Sequence, residues 1–192
     1  DWSSDVCSSD LSTADGQSGQ GCSLDGSVSA GNCRGASNIA EFTRQRDKIV
    51  AAIAAIDADA LGLMEMQNNG ATAVQNLVDA LNAKVGPGTY AIVPDPAAGT
   101  GSDAIKVAMI YKPARLSRVG EAQSDTDPVN NRPPLAQTFA ALNGQRFTLV
   151  VNHLKSKGSC PSAGDSDYAG NFDSGDGQGC WNALRVQQAE RL

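Results

Sequence analysis

A mixed α/β architecture with largely antiparallel sheets is what this chain predicts, on two observations. Two amphipathic helical stripes flank an apolar run of strand length, and further apolar runs follow, separated by turn-forming residues. The first stripe places Phe42, Ile49, Val50, Ile53 and Ile56 at helical spacing until Asp57-Ala-Asp59 stops it. Asn38 and Glu41 stand where a capping box would begin such a helix. The strand of residues 60–67 comes next. Gly70 then opens a second helix, whose Val74, Leu77, Val78 and Leu81 repeat at i, i+3, i+4 and i+7, a stripe suited to core packing. Residues 90–93 and 105–111 read as strands. Residues 135–142 and 146–152 read as a hairpin joined at Asn143-Gly144 by a type I′ turn. Cys180 to Leu192 has the apolar residues Trp181, Leu184 and Leu192 and reads as a helix. Residues 12–36, dominated by Gly, Ser and Asp, read as loop.

Residues 1–11, Asp1-Trp-Ser-Ser-Asp-Val-Cys-Ser-Ser-Asp-Leu11, are what a common sequencing-library adapter encodes when translated, and are read as an artefact outside the fold. Setting Cys7 aside leaves Cys22, Cys33, Cys160 and Cys180. Four cysteines allow three connectivities; the two close pairs, Cys22–Cys33 and Cys160–Cys180, are the expected bridges. Both flank loops too polar to order themselves by burial, and each closure would stabilise the fold by about 3 kcal/mol. Free thiols or zinc are the competing readings. Zinc is disfavoured because no Cys-x-x-Cys spacing occurs and the one histidine lies elsewhere. Bridges imply an extracellular or periplasmic setting.

The chain has 192 residues, and its 41% hydrophobic content permits a real core. No run of eighteen or more apolar residues occurs, so no membrane span is expected. The net charge of −6 argues against a polybasic nucleic-acid binder, yet the charge is patterned. Arg132, Arg146, Lys155 and Lys157 follow one another without an intervening carboxylate, and Asp165, Asp167, Asp173 and Asp176 come immediately after. A local positive edge of this kind suits an enzyme that must release an anionic product.

Three segments carry chemistry. His153, the sole histidine, ends an apolar strand as Asn152-His153-Leu-Lys155-Ser-Lys157-Gly. An imidazole suits proton work near neutral pH, and lysines supply donors to anionic oxygens. Taken alone, a histidine hydrogen-bonded at a strand end explains it as well. Glu65 stands near the C-terminal end of its strand, where open α/β layers gather functional groups and where Mg2+ would want one or two carboxylates. A solvent-facing Glu is the plainer alternative. Arg132 precedes two prolines that fix its backbone, presenting a guanidinium fork ahead of a strand, or forming a rigid surface turn.

The order Glu65, Arg132-Pro-Pro, Asn152-His153, with the phrases Leu61-Gly-Leu-Met-Glu, Asp103-Ala-Ile-Lys-Val-Ala-Met-Ile-Tyr-Lys-Pro113 and Gly177-Gln-Gly-Cys-Trp-Asn-Ala-Leu-Arg185, resembles the endonuclease/exonuclease/phosphatase superfamily, within it the secreted bacterial nuclease branch. The resemblance runs from about residue 33 to the end of the chain. It implies part of a DNase I-like four-layer α/β/β/α sandwich, residues 12–192 forming the N-terminal portion of a domain truncated at both ends. It implies hydrolysis of nucleic acid, with DNA as the expected partner and Mg2+ or Mn2+ as cofactor. Glu65 would hold the metal and His153 and Asn152 would act at the phosphoryl group. Arg132, Lys155 and Lys157 would bind substrate phosphates. The family's second histidine is missing, so the chain itself is expected to be inactive and to expose apolar surface. A phosphatase or sphingomyelinase-type phosphodiesterase, or a non-catalytic secreted binding module, are the alternatives; few aromatics, 5%, argue against a lipid substrate.

Two motifs carry less. Gly99-Thr-Gly101 lacks the strand, helix and Lys of a phosphate loop. Residues 165–176 place Gly170 as a calcium loop does but end in Asp176 rather than Glu. An unliganded acidic loop is the default there and a Ca2+ site the alternative.

Overall fold

The computed structural model describes residues 22–24, 27–29 and 39–192. Residues 1–11, the Asn38 cap and the Cys22–Cys33 pairing lie outside the described residues. Within 12–36, expected to be loop, β1 (Cys22–Leu24) and β2 (Ser27–Ser29) pair antiparallel.

Helix α1 (Ile39–Ile56) buries Phe42, Val50 and Ile53, while Ile56, counted in the stripe, is exposed at the last turn. Strand β3 (Ala60–Gln67) follows, then α2 (Thr72–Val85), with Val74, Leu77, Val78 and Leu81 all buried. Strands β4 (Ala91–Ile92) and β5 (Ile105–Tyr111) complete a first sheet of order β3-β5-β4. β4 is shorter than the expected 90–93 because Asn82 of α2 takes both backbone groups of Tyr90, donating to its carbonyl at 2.9 Å and accepting its N–H at 2.8 Å. A second sheet of order β6-β7-β8 comprises β6 (Leu116–Ser124), β7 (Leu135–Ala141) and β8 (Arg146–Val151). Helix α3 (Asn182–Glu190) follows. All pairings within both sheets are antiparallel, so the fold is mixed α/β, as the sequence predicts.

The hairpin between β7 and β8 does not use a type I′ turn. That turn needs positive φ at both central residues, but here Gly144, at 81°, has it and Asn143 does not. Ala141 and Gln145 close a three-residue loop, with Gly144 N–H donating to Ala141 O at 2.8 Å and Ala141 N–H to Gln145 O at 2.8 Å.

β5 is buried on both faces, which explains its unbroken apolar run. Ala108 and Ile110 join Val50, Ile53, Val74, Leu77, Leu81 and Met66 beneath the helices. Val107 and Met109 join Leu116, Leu135, Phe139 and Val151 between the sheets. Burying each of the larger side chains contributes roughly 1.5–3 kcal/mol. Lys106 is the exception, 1% exposed, its ammonium held by Asp95 and by Gly70 O at 2.9 Å. The described residues thus stack helices, sheet and sheet. At the outer end, Phe147, Val150 and Leu154 are solvent-facing. No described helix is long and apolar enough to cross a membrane.

Candidate active site

Strand alternation would send Glu65 the wrong way. Leu61 and Leu63 pack toward the helices, so a regular strand would point Glu65 into the same apolar layer. Instead the pairing with β5 breaks between Leu63 and Met66, and Glu65 takes φ 59°. This bulge shifts the period by one residue: Met66 now faces the helical core and Glu65 is turned to the other face. A left-handed non-glycine residue costs on the order of 1 kcal/mol. Here the cost accompanies a carboxylate's delivery to a site.

The other wall is set by Gly62. A Cβ there would lie 2.6 Å from Val151 Cγ2, so only glycine lets β3 come this close to the end of β8. Three residues beyond Gly62 and two beyond Val151, Glu65 and His153 meet, with Oε1 and Nε2 3.5 Å apart. This is polar contact, longer than an ordinary hydrogen bond, and becomes an ion pair only if the imidazole is protonated. His153 is largely buried, and burial pushes its pKa below the usual histidine value; the Arg132 charge lowers it further and the Asp103 carboxylate partly offsets that. The imidazole is therefore neutral at neutral pH. Its Nδ1 and the neighbouring Asn152 Oδ1 are buried and make no hydrogen bond among the described residues.

Arg132 Nε lies 3.2 Å from Asp103 Oδ2, an ion pair whose angle is not that of a hydrogen bond, since Nε and Nη1 are buried without a hydrogen-bond acceptor. Asp103 was not singled out from the sequence. The signal for it is topological: β3 and β5 pair Gln67 with Ile105, which puts the residues ahead of β5 beside the Glu65 end of β3. The loop carrying Asp103 is fastened by Asn68, whose Nδ2 donates to Gly101 O at 3.0 Å and Asp103 O at 2.9 Å while its Oδ1 accepts from Thr100 Oγ1 at 2.9 Å. Gly99-Thr-Gly101 is thus a structural loop.

Four of the expected residues, Glu65, Arg132, Asn152 and His153, are brought to one edge. The two lysines make their contacts with a neighbouring segment. Lys155 Nζ lies 4.7 Å from the centre of the Trp181 ring, and Lys157 Nζ donates to Gly177 O at 3.3 Å. Both contact a segment closed by the Cys160–Cys180 disulfide, which forms as expected. Arg185 secures that segment from α3, Nη1 donating to Cys180 O at 2.6 Å and Nη2 to Gln178 O at 2.8 Å. In the acidic loop, Asp165, Asp173 and Asp176 accept backbone N–H bonds from Ser162, Gly175 and Gln178 within their own turns.

Among the described residues no three His, Cys, Asp or Glu side chains form a metal-holding group. Besides Asp103, which is paired with Arg132, the site offers the carboxylate of Glu65 and a buried amide oxygen, Asn152 Oδ1, that has no hydrogen-bond partner among the described residues. That is a hard-oxygen set suited to an ion that keeps most of its waters.

No protein-family model and no curated protein matches the chain. Among solved structures it is similar to ANGEL2, a 2′,3′-cyclic phosphatase, at 18% identity and a TM-score of 0.46, over 59% of this chain and 32% of that one. ANGEL2 in complex with adenosine-2′,3′-vanadate matches at 19% identity and a TM-score of 0.43, over 57% and 31%. An endonuclease/exonuclease/phosphatase from Bacteroides vulgatus matches at 12% identity and a TM-score of 0.42, over 59% and 45%. The chain therefore spans less than half the length of each of these structures.

Proposed function

We propose that this chain carries one half of the active site of an extracellular or periplasmic metal-dependent phosphodiesterase acting on nucleic acid, with DNA as the expected substrate. The observation that supports it best is the convergence of a redirected carboxylate, a neutral imidazole and a guanidinium at one sheet edge. Glu65 would hold Mg2+ or Mn2+ together with water ligands, and when bound that ion supplies Lewis-acid polarisation of a phosphoryl oxygen. His153, neutral, donates a hydrogen bond from one ring nitrogen to the phosphoryl group. Asn152 orients the phosphate or the ring, and Arg132 forks onto a backbone phosphate. Lys155 and Lys157 flank the path of the substrate strand. The disulfide supports an oxidising compartment. The loop of residues 165–176 would serve as a polar rim, with Ca2+ as its alternative ligand.

A single histidine leaves the chain without a second imidazole to activate water, so it should bind without turning over. The test is fluorescence anisotropy of a labelled oligonucleotide with and without Mg2+. Mg2+ should tighten binding, and Glu65→Gln should abolish that gain. Binding indifferent to Mg2+ would count against the reading, whereas Mg2+-dependent cleavage by the chain alone would overturn only the assignment of the water-activating base to a second histidine.

A further inference from the structure

We propose that Asp103 is a positioning residue that holds the Arg132 guanidinium in place for phosphate recognition; this rests on the functional reading above. The two side chains are an ion pair at 3.2 Å, and both are mostly shielded from solvent, at 18% and 31% exposure. An exposed pair of this type would be worth little, but shielding removes the competition from water and salt. Asp103 is itself held. Its Oδ1 accepts the Ile105 N–H at 3.3 Å, and its carbonyl accepts from Asn68. Asn68 stands three residues beyond Glu65, so one amide side chain links the strand bearing the carboxylate to the loop bearing the arginine's partner.

A second contact serves the same end. A Cβ on Gly101 would lie 2.7 Å from Pro133 Cδ, so the loop packs directly on the proline that follows Arg132. The backbone of Arg132 is thereby fixed by Pro133 and Pro134, and its charge is fixed by Asp103. Its flexible side chain otherwise loses considerable rotamer entropy on binding, and ordering it in advance removes that cost from substrate binding. With Nε facing Asp103, Nη1, buried without an aligned acceptor among the described residues, is the donor in hand for an oxyanion.

The experiment compares Asp103→Asn, Asp103→Glu, Arg132→Gln and the Asp103→Asn/Arg132→Gln double variant by anisotropy with the same oligonucleotide in Mg2+. In the same proteins, the Arg132 Nε–Hε resonance is followed by NMR without ligand. Asp103→Asn should weaken binding on the order of tenfold, Asp103→Glu should restore part of it, and the double variant should be no weaker than Arg132→Gln. The Nε–Hε signal should be ordered in the parent and averaged by motion in Asp103→Asn, at unchanged melting temperature. If Arg132→Gln weakens binding while Asp103→Asn leaves both binding and the resonance unchanged, the positioning role is wrong and the phosphate reading stands. If Arg132→Gln has no effect, the phosphate reading of Arg132 fails, and an unperturbed resonance in Asp103→Asn would then overturn the pairing as well. Tighter binding in Asp103→Asn would show that the carboxylate competes with phosphate rather than presenting its partner.

Discussion

The edge carrying Glu65 and His153 and the segment running from Lys155 to Arg185 are both polar and both depart from regular structure, yet they are held in opposite ways. The first is clamped between sheets. Gly62 on Val151 sets the spacing, a left-handed Glu65 sits in the strand, and Asn152 Oδ1 and His153 Nδ1 are buried without hydrogen-bond partners among the described residues. The second has little apolar surface but satisfies itself. A disulfide closes it, short Asx turns fill it, and Trp181, also left-handed at φ 64°, donates its indole N–H to Gly158 O and Ser159 O at 3.1 and 2.9 Å. A segment that only needs to be ordered pairs its polar groups, because each one buried and unpaired costs about 1–3 kcal/mol. A segment that leaves such groups unpaired is, on the functional reading proposed above, keeping them for a ligand.

The largest effect should come from breaking the stapled segment. Replacing Cys160 and Cys180 with Ser frees a loop with a sequence separation of 20 residues, and should cost about 3 kcal/mol. Hydrogen exchange should show the loss of protection concentrated between Lys155 and Arg185, with the backbone amides of β3 and β5 still protected. Uniform loss across both regions would mean that the segment is an integral part of the core, and the contrast drawn above would fail.

A smaller and more local effect tests the other clamp. Gly62→Ala drives a methyl into Val151, which should cost about 1–3 kcal/mol by overpacking. It should also part Glu65 from His153 and so weaken the Mg2+ dependence of oligonucleotide binding. Adding Val151→Ala makes room, so the double variant should recover stability relative to the sum of the single changes, read as a non-additive denaturant midpoint. Strict additivity would show that the two residues do not share the contact. The alternative route to an inactive edge, unfolding of the whole chain, is excluded if the Gly62→Ala melt stays cooperative.

How far this was visible beforehand differs between the same two regions. The helical stripes, strand β5 and the Cys160–Cys180 bridge follow from local spacing, which is what a sequence displays. β6 escaped because Gly120, at φ 72°, and a pairing shift between Val119 and Gln123 erase its alternation. Glu65, Arg132 and His153 were found as residue types at strand ends and as a resemblance. What turns Glu65 toward His153, the bulge, departs from the side-chain alternation of a regular strand, and Asp103 pairs with Arg132 between loops that lead into two different sheets, a proximity the sequence does not draw. The lysines illustrate the converse: their charge pattern was plain, but the ring and carbonyl that hold them lie twenty or more positions away.

The smallest effect is the sharpest probe, because His153 is the chain's only histidine and its imidazole resonances stand alone in the spectrum. In metal-free protein its pKa should lie below 6.5, chiefly from burial and then from Arg132, with Asp103 opposing. Since the folded pKa is depressed, the unfolded chain binds the proton more readily. The contribution to stability is therefore fully present above pH 6.5 and is lost as pH falls below 6.5 toward the folded value. Arg132→Gln should raise the pKa and Asp103→Asn should lower it, opposite shifts from two partners of one ion pair. A titration at or above 6.5 would mean that burial does not dominate: either the ring is in water, or the Glu65 carboxylate 3.5 Å away holds its proton. Glu65→Gln separates the two by lowering the pKa only in the second case. In the first case the edge would resemble the satisfied segment, and the unpaired Nδ1 would have to be solvated.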